Sequence, residues 1–568
     1  MPRKGSQKVR TGCRTCKSVK ISPPPVPQIF LTVKLHHFRK RKVKCDETKP
    51  VCTRCSSTGR TCSGYDLDLD LDGQERSQVV HHSIALYRPR QLAAHDEKEG
   101  RSFHFFSHVA GPVLSGPMDT YFWTHLVMQF SHFTPAVRHA AIAVSSLYED
   151  FVRGTRIVRP RHNVLALKHY NAAIQEVSKV KAQDEQLVLI VCVLFVCVEL
   201  LQGDPKAATE HCRFGVAILE RIKADPGRSP SFWVVQHLLP IFRRLSLCLL
   251  MVPAGLPNIP VPGHPPPPPR ETSMKFLETG PEEPCVPDRF DTVIEASNSF
   301  DQLMAKCVSV GHEGDNQQGD EQQNEKEQLE RSLRLWNTRV ADLEASSMTS
   351  LNPTEKRALC LMRMKYEREI ITLDIPMGPK SLAQEIEYDE YLDSFKSIVD
   401  LARRASECIT PTSPPLEKSE RPSFSFEMGF LPLLLFVVMK CRDFETRVEA
   451  LSWMPYLTAA KESLLDLGTL YRVGRRVIEL EHEITLDDDL RICDGKRPIL
   501  PKDHRIVAAP VDHEMEALTA DDGTVSYRRT VLLITQEVNG EKSIRREHMY
   551  ERKLRQFDLE IPGMRSAR

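Results

Sequence analysis

Six cysteines within residues 12–62 constrain this chain more than any other feature of its 568 residues. Each CxxC pair lets two thiolates reach one Zn²⁺ from a single tight turn. Six thiolates exceed the capacity of one tetrahedral zinc, but they satisfy two zinc ions if two of the cysteines bridge. Paired cysteines in a reducing compartment indicate metal binding more often than disulfides. The cysteines are Cys13, Cys16, Cys45, Cys52, Cys55 and Cys62, with two, 28, six, two and six residues between neighbours.

The residues around these cysteines resemble those of the fungal Zn₂Cys₆ binuclear zinc cluster, a DNA-binding domain. The resemblance is carried by "GCRTCK" (12–17), "RKVKC" (41–45), Pro50 and "CTRC" (52–55). It covers about a tenth of the chain, and the motif is highly specific. The resemblance implies that the chain binds two Zn²⁺ ions and double-stranded DNA.

The resemblance also implies a role for each cysteine. Two thiolates would bridge the two zinc ions, and the other four would complete the two sites in pairs. The bridging residues would be Cys13 and Cys52, and the pairs would be Cys16 with Cys45 and Cys55 with Cys62.

The gap between Cys16 and Cys45 departs from this pattern, because the family has six residues there and this chain has 28. The surplus of 22 residues lies at about 19–40, contains four prolines and no acid, and keeps the reading frame. We hypothesise that it is a retained intron. The alternative is a real loop, whose closure costs only about 0.6 kcal/mol per doubling of length and so leaves metal binding intact. Three consecutive prolines would still interrupt the helix that normally follows Cys16 and so impair DNA reading.

Basic residues surround the cysteines and predict contact with a polyanion. Residues 1–62 carry a net charge of +14, which leaves −13 on the remaining residues. By resemblance, Arg41 and Lys42 would contact bases, and their donors suit the guanines of CGG-type sites. Four further residues are placed to contact phosphates, which position the protein without specifying sequence. They are Lys17, Lys44, Arg14 and Arg54.

The chain beyond about residue 101 shows the apolar spacing of helices, with few strand signals. Thr134 and Asp204 precede prolines at the starts of two predicted helices, and Gly203 ends a helix that is apolar on all sides. This pattern predicts a large all-α body of packed helical hairpins. The phrases "LSGPMDTYFW" and "PAVRHAAIAVSSLYED" are similar to the second type of fungal-specific transcription factor domain, a regulatory region.

Polar segments interrupt the predicted body. Residues 261–271 favour extended polyproline, residues 311–328 are acidic, rich in Gln and predicted to be disordered, and residues 409–423 form a loop. Residues 524–538 are the only convincing strand. Residues 542–557 are predicted to be a basic helix or tail.

Enzymatic function is not expected, because the chain contains none of GxGxxG before a helix, GxxxxGK[ST], GxSxG or HExxH. An all-cysteine zinc cluster also offers no open coordination position for catalysis. The longest apolar run, Leu187–Val198, is shorter than the ~20 residues of a membrane span. We therefore expect a soluble protein of the nucleus with no membrane partner.

The expected fold is a small Zn₂Cys₆ cluster followed by a large all-α regulatory domain with disordered linkers. The domains are a zinc cluster at 1–65 interrupted at about 19–40, a linker at 66–100, a helical body at 101–490 and a C-terminal region of unknown role at 491–568. The expected function is sequence-specific regulation of RNA polymerase II transcription, with the body contacting the transcription machinery. No clear heptad run follows Cys62, so monomer and homodimer both remain open. The alternative is a helical interaction protein whose DNA binding the insert has impaired.

Overall fold

A computed structural model divides the chain into two compact units, Met1–Pro89 and Arg90–Arg568. In the first unit it describes Asp46, Thr48 and residues 52–57. In the second it describes residues 97–153, 163–180, 184–225, 230–255, 286–310, 319–347, 351–375, 385–408, 424–501, 504–512, 516–519, 525–537 and 542–550. Residues 66–96 of the predicted linker, the polyproline segment and the loop at 409–423 lie outside these ranges, and residues 97–100 of that linker form the start of a helix.

The first unit contains one described turn of helix, α1, at Thr53–Ser56. The second unit begins with helices that share one hydrophobic core. Short π-helical turns at Phe106–Ala110, Phe122–Leu126 and Val234–Leu238 interrupt the regular helices. The α-helices are α2 (Glu97–Phe105), α3 (Gly111–Leu114), α4 (Val127–Ser131), α5 (Pro135–Val152), α6 (Val164–Val177), α7 (Gln186–Gln202), α8 (Pro205–Ala224) and α9 (Leu239–Gly255).

Helix α7 is the centre of this first core, since every residue from Val188 to Leu201 is buried. It ends at Gly203, whose φ of +78° is a left-handed conformation that a side chain would oppose. Asp204 then begins α8, and its carboxylate accepts hydrogen bonds from the backbone N–H groups of Lys206 and Ala207, both at 3.0 Å. The predicted end of α7 and the predicted start of α8 are confirmed.

Two further hydrophobic cores lie in the rest of the helical body, and α12 contributes to both of them. Trp336 is fully buried in the core formed by α10, α11 and α12, and its indole N–H donates to the Ala296 carbonyl at 2.9 Å. A 3₁₀ turn, Glu387–Tyr391, precedes α13. The helices are α10 (Val293–Val310), α11 (Gly319–Ser347), α12 (Pro353–Asp374), α13 (Leu392–Glu407), α14 (Leu431–Lys440), α15 (Phe444–Leu457) and α16 (Leu467–Glu481).

A small sheet links the two halves of the helical body. It consists of β1 (Phe424–Ser425), β2 (Lys461–Glu462) and β3 (Leu465–Asp466), with β2 parallel to β1 and antiparallel to β3. The Lys461 ammonium donates to the carbonyl of Leu200 near the end of α7, at 2.5 Å. The adjacent Glu462 carboxylate accepts from backbone N–H groups at the start of α14.

The C-terminal region is an antiparallel sheet. It contains β4 (His504–Ala508), β5 (Glu516–Thr519), β6 (Val525–Glu537) and β7 (Lys542–Tyr550). The long β6 pairs with β4 and β5 and also with β7, in a register from Arg528↔Tyr550 to Gln536↔Lys542. The predicted strand at 524–538 is confirmed, whereas the helix or tail predicted at 542–557 is wrong for residues 542–550, which form a strand.

Two local predictions need correction. Residues 319–328 are helical rather than disordered, because α11 begins at Gly319. Thr134 occupies the N-cap position of α5, but its side chain makes no capping hydrogen bond. The expectation of a largely helical body is otherwise confirmed. Within the described helices, none combines the length and apolar character that a bilayer span requires.

Candidate metal centre and nucleic-acid interface

The "CTRC" pair lies on a preformed turn of the backbone. Cys52 immediately precedes α1, and Cys55 lies three residues later within it. The Ser56 N–H donates to the Cys52 carbonyl at 3.2 Å, and the Ser57 N–H donates to the Thr53 carbonyl at 2.9 Å. Positions three residues apart fall on the same side of a helical turn, which is the spacing that brings two thiolates to one metal ion.

Asp46 and Thr48 hold the start of this turn. The Thr53 N–H donates to Asp46 Oδ2 at 2.9 Å and lies 3.0 Å from Thr48 Oγ1. The Thr48 hydroxyl also donates to Asp46 Oδ2, at 2.5 Å. These bonds satisfy a backbone donor that the short helix leaves without a partner of its own. They also fix the chain just after Cys45 against the chain just after Cys52.

The donor chemistry fits zinc. Cys52 is fully buried, where water would not compete with a metal for the thiolate. Thiolate sulfur is a preferred ligand of structural Zn²⁺. Among the described residues, no three metal-binding side chains lie together, since only part of the cysteine set falls within them.

Most of the predicted site residues lie outside the described part of the chain, so their assignment stays a prediction. Arg54 and Cys55 are described only as backbone positions of α1. The residues outside it are Cys13, Arg14, Cys16, Lys17, Arg41, Lys42, Lys44, Cys45 and Cys62. The sequence did not indicate a role for Asp46 or Thr48. They lie seven and five residues before Thr53, whose backbone N–H they accept.

Two known protein domains match the sequence of this chain. Residues 38–70 match the fungal Zn(2)-Cys(6) binuclear cluster domain, and residues 103–367 match the fungal specific transcription factor domain. Together they cover more than half of the chain, in the predicted order. The chain thus combines a fungal Zn(2)-Cys(6) cluster domain with a fungal specific transcription factor domain. The matched cluster segment contains four of the six cysteines and begins after Cys16.

Three transcription regulators are similar to the chain. The aspercryptin biosynthesis cluster-specific transcription regulator atnN of Emericella nidulans is 25% identical, over 69% of this chain and 66% of that protein. The transcription regulator lscL of Purpureocillium lilacinum is 23% identical, over 33% and 49%. The transcriptional regulatory protein moc3 of Schizosaccharomyces pombe is 34% identical, over 23% and 20%. The matches thus span two thirds or less of each relative.

These matches bear on several expectations. The resemblance to both domains is confirmed, and so are a zinc-cluster domain and the expectation that the chain is not an enzyme, since both matched domains are domains of transcription factors. The alternative of an interaction protein without DNA binding gains no support from these relatives. No solved structure is significantly similar to the chain.

Proposed function

We propose that this protein is a nuclear, sequence-specific DNA-binding regulator of RNA polymerase II transcription. The match of residues 38–70 to the zinc-cluster domain is the observation that carries the proposal. The family of the helical body and the basic charge of the N-terminal segment are consistent with it. The body would contact the transcription machinery.

The six N-terminal cysteines would hold two Zn²⁺ ions, with Cys13 and Cys52 binding both. Structural zinc supplies folding free energy to modules that are too small for a hydrophobic core. A chelator should therefore unfold the N-terminal module while leaving the helical body folded. The Asp46–Thr53 contact would keep the Cys52 turn in place during metal loading.

DNA recognition would depend on the basic residues next to the cluster. Arg41 and Lys42 would donate hydrogen bonds to guanine O6 and N7 in the major groove of CGG-type sites. Lys17, Lys44, Arg14 and Arg54 would neutralise phosphates and release counterions, so the affinity should fall steeply with salt concentration.

Duplex binding by the full chain tests the proposal. Fluorescence anisotropy should show tighter binding to duplexes with CGG triplets than to scrambled duplexes of equal length, and zinc chelation should abolish the difference. A version lacking residues 19–40 should bind at least as tightly. Equal affinity for CGG and scrambled duplexes in both versions would contradict sequence-specific recognition.

Substitution of Arg41 by Ala tests whether Arg41 contacts a DNA base. It should weaken binding to CGG duplexes by about 1–3 kcal/mol and relax the preference for guanine, because a bidentate contact to one base is lost. The matched control is Lys44→Ala, which should weaken binding to all duplexes alike and reduce the salt slope by about 1. A uniform loss from Arg41→Ala would instead make Arg41 a phosphate contact.

A further inference from the structure

A cavity of about 110 Å³ lies inside the helical body, at the junction of its three hydrophobic cores. Its apolar wall includes Leu245 of the first core, Phe300 and Met304 of the α10–α12 core, and Leu433 of the remaining core. Side chains from α9, α10, α12, α14 and the segment before α14 therefore meet around one space. An apolar cavity of similar size, about 150 Å³, can hold a six-membered ring.

The polar end of the cavity is built around Arg244 of α9. Its guanidinium donates to Asp119 at 2.6 Å, to Glu427 at 2.7 Å and to Asp301 at 3.2 Å. Three carboxyl groups thus surround one cation, which satisfies the hydrogen-bonding directions of the guanidinium. Burial raises the pKa of Asp119 well above its usual range and also raises the pKa of Asp301, whereas the charge of Arg244 helps to lower the pKa of Glu427.

Lys365 of α12 also lines the cavity and differs from the other cations there. Arg368 pairs with Glu369 at 2.7 Å, and Arg244 is saturated by its three acids. Among the described residues, the Lys365 ammonium makes no hydrogen bond and no ion pair within 4.0 Å, and its charge acts only at longer range on the carboxyl groups of Asp301 and Glu427. A lysine beside a partly apolar cavity is an anchoring point for an anionic group.

We propose that this cavity binds a small apolar molecule that carries one carboxylate, with the carboxylate paired to Lys365. The apolar part of the ligand would contact Phe300, Met304 and Leu433, and the size of the cavity suits a chain of four or five carbons. Because the walls come from three separate cores, a bound ligand would connect them and stabilise the helical body. The cavity lies within that body, so binding needs no DNA.

Cys248 provides a reporter inside the cavity. It lines the space, and its sulfur lies 3.4 Å from the Ser463 hydroxyl. Alkylation of Cys248 in the full chain, followed by mass spectrometry, measures access to the cavity, and the exposed Cys493 serves as an internal control. The probes are pentanoate and its neutral isostere pentanamide. Pentanoate should slow alkylation of Cys248 at concentrations about tenfold lower than pentanamide, with no effect on Cys493.

Two substitutions on α12 separate the charge from the fold. Lys365→Met should remove the preference for pentanoate while pentanamide still protects Cys248, and Lys365→Arg should retain the preference. The matched control is the exposed Lys356→Met on the same helix, which should behave as the wild type. Each rate is compared with the same variant without ligand, because Lys365 also influences the Cys248 thiol. Equal protection by both probes in the wild type, or no protection by either, would overturn the proposal.

Discussion

Glu462 is a buried acid at the point where the small sheet meets the helical body. Its carboxylate accepts hydrogen bonds from the N–H groups of Gly429 at 2.9 Å and Leu431 at 3.0 Å. Burial raises its pKa from 4.5 to about 7, and the backbone donors offset only part of that shift. The folded protein therefore retains a proton on Glu462 where the unfolded chain has already lost it.

This proton makes stability depend on pH. The contribution of Glu462 is fully present below about pH 4.5 and is lost as the pH rises through about 7. Glu462→Gln mimics the neutral form and does not titrate. The unfolding free energy of the variant relative to that of the wild type should therefore increase by up to about 3 kcal/mol as the pH rises through this window. Urea unfolding of both proteins at a series of pH values measures the difference. Parallel curves would mean that Glu462 does not titrate there.

Arg447 and Glu481 form an ion pair with no solvent exposure on either side chain. Arg447 Nη1 donates to Glu481 Oε2 at 2.7 Å, and its Nε donates to the Val438 carbonyl at 2.8 Å. Glu481 also accepts from the Ile506 N–H at 2.8 Å. One buried pair therefore connects α14, α15, α16 and β4.

Arg447→Met should destabilise the protein by about 3–5 kcal/mol, because it removes one of the two buried cations that flank the Glu481 carboxylate and leaves only Arg505, at 3.3 Å. The control is Arg403→Met on α13. Arg403 is 48% exposed and pairs with Asp400 and Glu449, so its loss should cost less than about 1 kcal/mol. Chemical denaturation of the two variants gives both values. Similar losses would show that the burial of the Arg447 pair is not what determines its contribution.

At the scale of elements, two helix starts with similar sequences differ in their capping. Asp204 caps α8 with two hydrogen bonds, whereas the Thr134 side chain makes none at the start of α5. Asp204→Ala should therefore cost about 1 kcal/mol and Thr134→Ala close to nothing. Thermal unfolding of the two variants tests this contrast. Equal costs would imply that the carboxylate of Asp204 contributes little.

Helices could be predicted from local sequence where apolar spacing and end signals coincide, as at Gly203 and Asp204. The helix at residues 319–328 could not be predicted, because these residues are polar. They are the first turns of α11, whose later residues Leu333 and Trp336 pack in a hydrophobic core. Strand β7 could not be predicted either. Its apolar residues do not alternate, and it is defined by pairing with β6 and by the Arg476–Glu547 ion pair at 2.9 Å.

The same division applies to the candidate site. The spacing of the cysteines predicts the metal ligands, because two CxxC pairs close together are typical of zinc sites. Nothing in the local sequence indicates that Asp46 holds the turn of the second pair. The Arg244 cluster joins residues 119, 244, 301 and 427, and such distant positions leave no local pattern.

At the scale of the whole molecule, the chain combines a basic N-terminal segment with an acidic remainder. This asymmetry restricts the attraction for a polyanion to one end of the chain. The insert at 19–40 interrupts that end of the sequence. A flexible loop of this length adds only about 0.6 kcal/mol to the free energy of closing the metal site for each doubling of loop length. Zinc binding should therefore survive in the full chain, whereas DNA reading is more sensitive to the insert.

Native mass spectrometry of the full chain and of a version lacking residues 19–40 tests the central claim, that six cysteines hold two zinc ions. We predict two equivalents of zinc on each protein, both removed by a strong chelator, with the helical body still folded. Substitution of Cys52 by Ser should lower the zinc content, whereas substitution of the exposed Cys493 should not. Fewer than two equivalents on both versions would contradict a binuclear cluster in this protein.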